Sequence, residues 1–343
     1  MFGVLDKLAG FFDRRFLIAY WAPVAIALAG LAGVVALDRG IGTMLAALGK
    51  LSAMEQAVIA ATALVTLIVL AYLLQALTGP MVRLYEGYSL PGWLARGLRR
   101  SEELRLQALK RAENEGKSSA RYFCFSPHEE HLRPTRLGNA LTAAEDYPRQ
   151  LYQIDSVLWW PRVVTQLSDN VRQQLDAAVV PMIALLNLAS AFTTVALGGA
   201  FYLYAVNERV GLFLIPLWGG VFLAWLSYRA AVSQAVSYGN VIRVAFDFHR
   251  HDVLEKMRIP RPDDLLAERA LWKALDTWLF YFTLPWDSGV DPAQHPLIAR
   301  PFRWIPSAAP LPGDGAAPAP GAVPLAAPGG GQVKTGMPGS ANG

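Results

Sequence analysis

The sequence predicts an all-α integral membrane protein with four transmembrane helices, arranged as two hairpins, and a helical cytoplasmic domain. Of its 343 residues, 53% are hydrophobic and 17% are charged, whereas a typical soluble domain has about 25% charged residues. Four segments are also long, apolar and free of Asp, Glu, Lys, Arg and His. Finally, basic residues are distributed unevenly around these segments, as they are in multi-pass membrane proteins.

The four uncharged segments are residues 16 to 37, 57 to 78, 182 to 205 and 210 to 228. Each is close to or above the roughly 20 residues that a helix needs to cross a hydrocarbon core. The short connections within each pair define a first transmembrane hairpin at residues 16 to 78 and a second at residues 182 to 228.

The positive-inside rule gives the orientation of the hairpins. The only basic residues in the connections between paired spans are Arg39, Lys50 and Arg209. The opposite flanks carry Lys7, Arg14, Arg15, Arg83, Arg96, Arg162, Arg172, Arg229 and Arg243. The sequence therefore predicts that both termini and the long central segment are cytoplasmic.

The segments outside the spans complete the domain organisation. Residues 1 to 15 have an apolar stripe that predicts an amphipathic helix in the membrane interface, with simple continuation into the first span as the alternative. Residues 79 to 181 form the cytoplasmic helical domain, and helices within 229 to 305 are expected to pack on it, because neither piece alone has enough core. Residues 306 to 343 are rich in proline, glycine and alanine and predict a disordered tail.

The central segment predicts several short helices with defined ends. We expect Asn139 to cap a helix that Pro148 stops. Asp155 or Ser156 is expected to cap a second helix that ends at Pro161, and Ser168 a third that leads into the membrane. Upstream, Ser52 and Glu55 have the spacing of a capping box at the start of the second span.

The tandem tryptophan Trp159 and Trp160 leaves two interpretations open. Its position about 20 residues before the third span suits an aromatic anchor at the membrane interface. Packing in the core of the cytoplasmic domain is the equal alternative.

The best candidate for ligand binding is an anion site at a helix start in the central segment. Positive side chains and backbone amides there could together hold a phosphate, and a lipid headgroup is the natural anion beside a bilayer. The candidate residues are Arg133, Arg136, Gly138 and Asn139. The alternative is that both arginines pair within the chain with Glu145, Asp146 or Asp155.

Polar residues inside the third span give a second candidate site. Asn187, Ser190, Thr193 and Thr194 could line a narrow pore in an oligomer, although hydrogen bonding between helices is the commoner use of such residues. No ionisable residue lies in any span, which argues against proton or ion transport through them.

Other chemical motifs are weak. In "HEEH", residues 128 to 131, the histidines are three positions apart, one fewer than in the zinc-protease helix motif. His249 and His251 are two positions apart and point to opposite sides of a helix. The sequence therefore predicts no catalytic residues, no metal site and no cofactor. The net charge of +4 is explained by membrane topology, and no nucleic-acid partner is expected.

Three segments carry a resemblance to a known group of proteins. "RPTRLGNALTAAEDYP", "YQIDSVLWWPR" and "AFDFHRHDVL" resemble the corresponding segments of uncharacterised multi-pass membrane proteins of actinobacteria and other bacteria. The resemblance covers roughly residues 80 to 282. It implies a bacterial plasma membrane location and a shared cytoplasmic domain, and it carries no activity, substrate or catalytic residue.

The leading functional expectation is a non-enzymatic membrane protein whose cytoplasmic domain binds a protein partner or assembles the chain into a homo-oligomer within the lipid bilayer. One alternative is an oligomeric channel or small-solute transporter that uses the polar residues of the third span. A second is a membrane enzyme that acts on a lipid-linked or phosphorylated substrate through Arg133 and Arg136.

Overall fold

A computed structural model describes residues 13–117, 120–206 and 211–281, and within these ranges the chain is all-α, without a strand. This confirms the predicted class for the described residues. The helices are α1 (Arg14–Arg39), α2 (Ile41–Gly49), α3 (Ala53–Ala76), α4 (Thr78–Glu86), α5 (Gly92–Asn114), α6 (Ala120–Cys124), α7 (Arg136–Tyr152), α8 (Ser156–Gln166), α9 (Asp169–Phe201), α10 (Leu214–Lys256) and α11 (Leu265–Tyr281). The predicted tail and most of the predicted interfacial helix lie outside the described residues.

Four of these helices, α1, α3, α9 and α10, are long and apolar enough to cross a membrane. The predicted spans fall largely on them; residues 77 and 78 of the second span lie beyond α3, residues 202–205 of the third beyond Phe201, and residues 210–213 of the fourth before Leu214. At 43 residues, α10 is about 65 Å long, roughly twice the thickness of a hydrocarbon core. We call α1, α3 and the span portions of α9 and α10 the bundle, and residues 92–166 and 229–281 the head. Both α9 and α10 extend beyond the bundle, and α10 runs on into the head.

The centre of the molecule is the antiparallel contact between α9 and α10. A Cβ atom added to Gly220 would lie 2.7 Å from the Ala196 Cβ and 2.8 Å from the Phe192 carbonyl oxygen, so only glycine permits this approach. The adjacent Gly219 has no neighbouring atom within 4 Å. Farther along the same pair, Ala231 and Ala235 pack in one cluster with residues of α7 and α9. Small side chains therefore let three helices approach closely.

A separate apolar core holds the head together. Trp159 of α8 is fully buried and meets Trp272 of α11 edge to face, with ring centroids 4.8 Å apart. Its indole N–H donates to Asp276, whose second oxygen accepts the Asp155 backbone N–H at 3.2 Å. Burial raises the pKa of Asp276 to about 6. Trp160 is partly buried and packs on the same cluster, which favours the core interpretation of the tandem tryptophan.

Several predicted caps are confirmed. The Ser52 and Glu55 capping box starts α3. Asp155 accepts the Val157 and Leu158 backbone N–H groups at the start of α8, and Ser168 caps α9.

The predicted cap of α7 is wrong. Thr135, in an extended conformation, caps this helix through its side chain, which accepts the Gly138 N–H. Asn139 lies in the first turn and folds back instead. Its Oδ1 accepts the Arg133 backbone N–H at 2.7 Å, and its Nδ2 donates to the Arg133 carbonyl at 3.0 Å. The side chain therefore fixes the segment that enters the helix.

The predicted helix ends at Pro148 and Pro161 are also wrong. α7 continues through Pro148 to Tyr152 and ends where Gln153 adopts a left-handed conformation. α8 likewise contains Pro161 and continues to Gln166. A proline inside a helix removes one hydrogen bond, but α7 lies along α10 and Pro148 is fully buried. We attribute the continuation to this tertiary packing, which outweighs the local cost.

The contact between α9 and α10 predicts opposite results for two neighbouring glycines. We expect Gly220→Ala to lower the free energy of unfolding by about 1–2 kcal/mol, because the cost of overpacking exceeds the gain in helix propensity. Gly219→Ala is the matched control and should be neutral or stabilising by up to about 1 kcal/mol. Thermal unfolding in detergent measures both, and equal effects of the two substitutions would contradict the described contact.

Candidate functional site

The predicted arginines at the start of α7 lie beside a buried carboxylate that the sequence did not single out. Glu102 of α5 is 4% exposed. It accepts a hydrogen bond from Asn139 Nδ2 at 3.2 Å and one from Arg105 at 3.3 Å, and it pairs with Arg136 Nε at 3.4 Å. Because a buried carboxylate needs such partners, Glu102 ties α5 to α7. Arg136 therefore pairs within the chain, but not with any of the three expected carboxylates.

Those three carboxylates have other surroundings. Asp146 accepts from Ser126 and contacts His131 Nδ1 at 2.6 Å, and Asp155 pairs with Arg149. Glu145 has no ion pair with a cation in the part of the chain that the structure describes. Among the described residues, neither Arg133 nor Arg136 forms an ion pair with any of these three carboxylates, and Arg136 pairs with Glu102 instead.

Arg133 has no carboxylate within 4.0 Å among the described residues. Its guanidinium lies over the Tyr88 ring, 4.3 Å from the centroid, and its Nε donates to Thr142 at 3.4 Å. Its charge also acts on Glu86 and Glu145, where it opposes the rise in pKa that burial causes.

The two backbone amides of the predicted anion site are already used. The Gly138 N–H donates to the Thr135 side chain at 3.0 Å, and the Asn139 N–H donates to the Thr135 carbonyl at 3.0 Å. A Cβ on Gly138 would lie 2.4 Å from the Glu86 carbonyl oxygen, so glycine lets α4 approach α7 here. An anion at this place would be held by arginine side chains rather than by these amides.

A groove of about 600 Å³ opens next to Arg136, where the head meets the bundle. We call it the boundary groove. Its walls include Leu84, Leu90, Leu98, Thr135, Arg136, Trp225, Tyr228 and Arg229. The volume lies within the range of small-molecule sites, about 300–1,000 Å³. Its lining combines an apolar floor with polar groups at the start of α7 and at the end of the fourth apolar segment.

The boundary groove carries excess positive charge. The Arg229 guanidinium lies 5.1 Å from the centroid of the Trp225 ring and has no described carboxylate within 4.0 Å. Arg136, whose side chain is 42% exposed, shares Glu102 with Arg105. The groove thus presents two arginines against one buried carboxylate, which suits an anionic group.

The polar residues of the third apolar segment make hydrogen bonds within the bundle. Asn187 Nδ2 donates to the Ala19 carbonyl of α1 at 2.7 Å. Ala19 lies in a π-helical segment of α1, Leu17–Trp21, and Pro23, four residues after it, has no N–H to donate to its carbonyl. Asn187 is 2% exposed, and it therefore joins two helices.

The hydroxyl groups of this segment donate to carbonyls one turn earlier in α9. The distances are 3.1 Å for Ser190, 2.8 Å for Thr193 and 2.9 Å for Thr194. Ser190 also lies 2.9 Å from the Tyr85 hydroxyl. A cavity of about 280 Å³ beside Asn187, Ser190 and Thr194 is otherwise lined by apolar residues and Pro23. A pore formed by these residues in an oligomer stays a prediction.

The two histidines of α10 each face a carboxylate. His249 Nδ1 lies 2.8 Å from Asp252, and His251 Nε2 lies 3.0 Å from Glu268. Their different partners agree with the prediction that the two rings point to opposite sides of the helix. Within the described ranges, no group of three or more His, Cys, Asp or Glu could hold a metal ion.

Sequence reasoning missed Glu102 and Arg229, although each left a signal. Glu102 stands four residues after Leu98 and four before Leu106, on the apolar stripe of α5, where a carboxylate is out of place unless it is paired. Arg229 is the first charge after the fourth apolar segment. The signal at Glu102 does not identify Asn139 and Arg136 as its partners, because they come from α7.

Comparisons with protein-family models, with curated proteins and with solved structures give no match to this chain. Its function is therefore argued from its own helices and cavities.

Proposed function

We propose that this chain is a non-enzymatic integral membrane protein of a bacterial plasma membrane, with four spans. The observation that carries the proposal is the exposure of α3. Only Ala71 of its 24 residues is buried, while Val58, Val65 and Val69 are each more than half exposed. A helix that is apolar all round and exposed over most of its surface suits a lipid environment.

The head and both termini are proposed to lie in the cytoplasm. The uneven distribution of arginine and lysine supports this orientation. Trp225 and Arg229 support the position of one membrane boundary, because a tryptophan with a stacked arginine at the end of an apolar segment is typical of the interface.

The head is proposed to assemble the chain into a homo-oligomer. Val244 and Phe248 are one turn apart on α10, so they share a face of the helix. They are 41% and 73% exposed, and they lie beyond the apolar segment, where lipid does not cover them. Exposed large apolar side chains on one face favour a protein contact.

The orientation predicts which introduced cysteines can be labelled from outside. In a Cys124→Ser background, we expect Lys50→Cys to react with a membrane-impermeant maleimide in intact spheroplasts. Arg111→Cys in α5 should react only after the membrane is permeabilised. Both side chains are exposed, so accessibility depends on the membrane alone.

Reaction of Arg111→Cys in intact spheroplasts, with Lys50→Cys protected, would reverse the proposed orientation. Extraction of the chain from membranes by alkaline carbonate would contradict membrane integration itself.

The proposed contact predicts the effect of a charge on the head. Phe248→Glu should shift the detergent-solubilised protein from an oligomer to a monomer, because a charge cannot be buried there without a partner. Leu266→Glu, at another exposed apolar position, is the matched control and should leave the mass unchanged. Light scattering gives the mass, and a monomeric wild-type protein would refute the assembly proposal.

A second candidate function is the binding of an anionic phospholipid in the boundary groove. Arg229 favours it, because this cation has no described carboxylate and stands where the lipid headgroups would be in the proposed orientation. Leu84, Leu90 and Leu98 offer an apolar wall for an acyl chain. This candidate depends on the proposed membrane placement.

The lipid candidate predicts a loss of headgroup selectivity when Arg229 is neutralised. Arg229→Gln should weaken binding of phosphatidylglycerol about fivefold, since one basic residue near the surface contributes about 1 kcal/mol. Phosphatidylcholine binding should not change. Native mass spectrometry of the protein in detergent measures both, with Arg111→Gln as the control. Equal retention of phosphatidylglycerol by Arg229→Gln and the wild type would eliminate the groove as its site.

A further inference from the structure

The head contains a second cavity, distinct from the boundary groove. It has a volume of about 490 Å³, and its lining includes residues of α5, α6, α7 and α10. Aromatic and aliphatic side chains form much of its wall, among them Tyr122, Phe125, Tyr147 and Leu151. Such a cavity is large enough for a small organic molecule.

Arg243 of α10 lines this cavity and is 4% exposed. One terminal nitrogen donates to Asn240 Oδ1 at 2.9 Å, and the other donates to the Tyr122 carbonyl at 3.0 Å. Its Nε is buried and has no hydrogen-bond partner. Each terminal nitrogen carries two N–H groups, so the guanidinium retains donors beyond these two bonds.

The immediate surroundings of Arg243 are uncharged. Its guanidinium lies 4.7 Å from the centroid of the Tyr122 ring, 5.6 Å from that of Phe123 and 5.8 Å from that of Tyr147. No carboxylate of the described residues lies within 4.0 Å. Burial lowers the pKa of Arg243, which expresses the cost of holding this charge away from water.

The carboxylate one turn along the helix does not balance this charge directly. Asp247 accepts hydrogen bonds from the Tyr147 hydroxyl at 3.0 and 2.9 Å and from the Tyr152 hydroxyl at 2.8 Å. Burial and the bond to Asp247 raise the pKa of Tyr152 to about 12, so it stays a donor. Asp247 thus obtains its hydrogen bonds from the two tyrosines.

The other charged groups at the cavity cancel. Arg121 donates to Glu113 at 3.1 Å, and both residues line the cavity. The lining therefore has one cation in excess, that of Arg243. A buried cation without a carboxylate in direct contact is unfavourable, and an anion that enters the cavity would relieve this cost.

We propose that this cavity binds a small organic oxyanion, a carboxylate or a phosphate monoester with an apolar body, and that Arg243 is its counter-ion. The remaining N–H groups of the terminal nitrogens bind the oxyanion, since a guanidinium recognises planar oxyanions well. The aromatic wall packs on the apolar body. The site is independent of the proposed assembly and of the lipid candidate.

Calorimetric titration of the full-length protein in detergent tests the proposal. Benzoate and phenyl phosphate are the anionic probes, benzyl alcohol is the neutral probe, and inorganic phosphate is the anion without an apolar body. We expect at least one of the two aromatic anions to bind, and benzyl alcohol and inorganic phosphate to bind at least tenfold more weakly. The stronger aromatic anion identifies the preferred headgroup.

Two variants assign the binding to the cavity. Arg243→Met should weaken the bound anion at least about tenfold, the size expected for losing a charge-assisted hydrogen bond. Leu151→Trp should block binding by filling the cavity while leaving Arg243 in place, and Leu151 is 39% exposed, so the larger side chain is tolerated. Arg111→Gln is the matched surface control and should bind normally.

Four results would overturn the proposal. These are the absence of binding by both aromatic anions, unchanged affinity in a folded Arg243→Met variant, unchanged affinity in Leu151→Trp, and benzyl alcohol binding as tightly as the anions. The Leu151→Trp titration keeps the test decisive if Arg243→Met fails to fold.

Discussion

The close contact between α9 and α10 is the constraint on which the rest of the structure depends. It requires a residue without a side chain at Gly220. Together the two helices form a long surface on which the other helices pack. α1 approaches at Gly199, where a Cβ would lie 2.9 Å from Val34. α7 approaches at Gly239, where a Cβ would lie 2.9 Å from the Ala144 Cβ. The bundle and the head therefore both pack on this helix pair.

Residues of α10 line both the boundary groove and the head cavity. Arg229 lines the boundary groove and Arg243 lines the head cavity, and fourteen residues of continuous helix place them about 21 Å apart along the axis. Each is a cation without a described carboxylate within 4.0 Å. A helix with an unbroken hydrogen-bond ladder therefore fixes the separation of two positively charged sites, one at the boundary of the bundle and one inside the head.

Polar side chains inside the bundle donate hydrogen bonds to its backbone carbonyls. Asn187 donates to the Ala19 carbonyl, in the π-helical segment of α1 that precedes Pro23. A buried carbonyl without a hydrogen bond costs free energy, so this amide side chain of α9 stabilises the contact with α1. In the head, Asn139 likewise donates a hydrogen bond to Glu102, and its side-chain oxygen accepts the Arg133 backbone N–H in the segment that enters α7.

The sequence by itself determined what depends on neighbours along the chain. The four apolar segments, the all-α class and the caps at Ser52, Asp155 and Ser168 follow from local composition and short spacings, because a helix start is satisfied within three residues.

Only the tertiary structure decided what depends on distant partners. It carried two helices through Pro148 and Pro161, paired Arg136 with Glu102 and left Arg243 without a carboxylate. A helix periodicity indicates which side chains share a face, but not which helix covers that face. The partner of a buried charge therefore depends on packing between segments that can be more than a hundred residues apart. Short spacings along the sequence do not predict it.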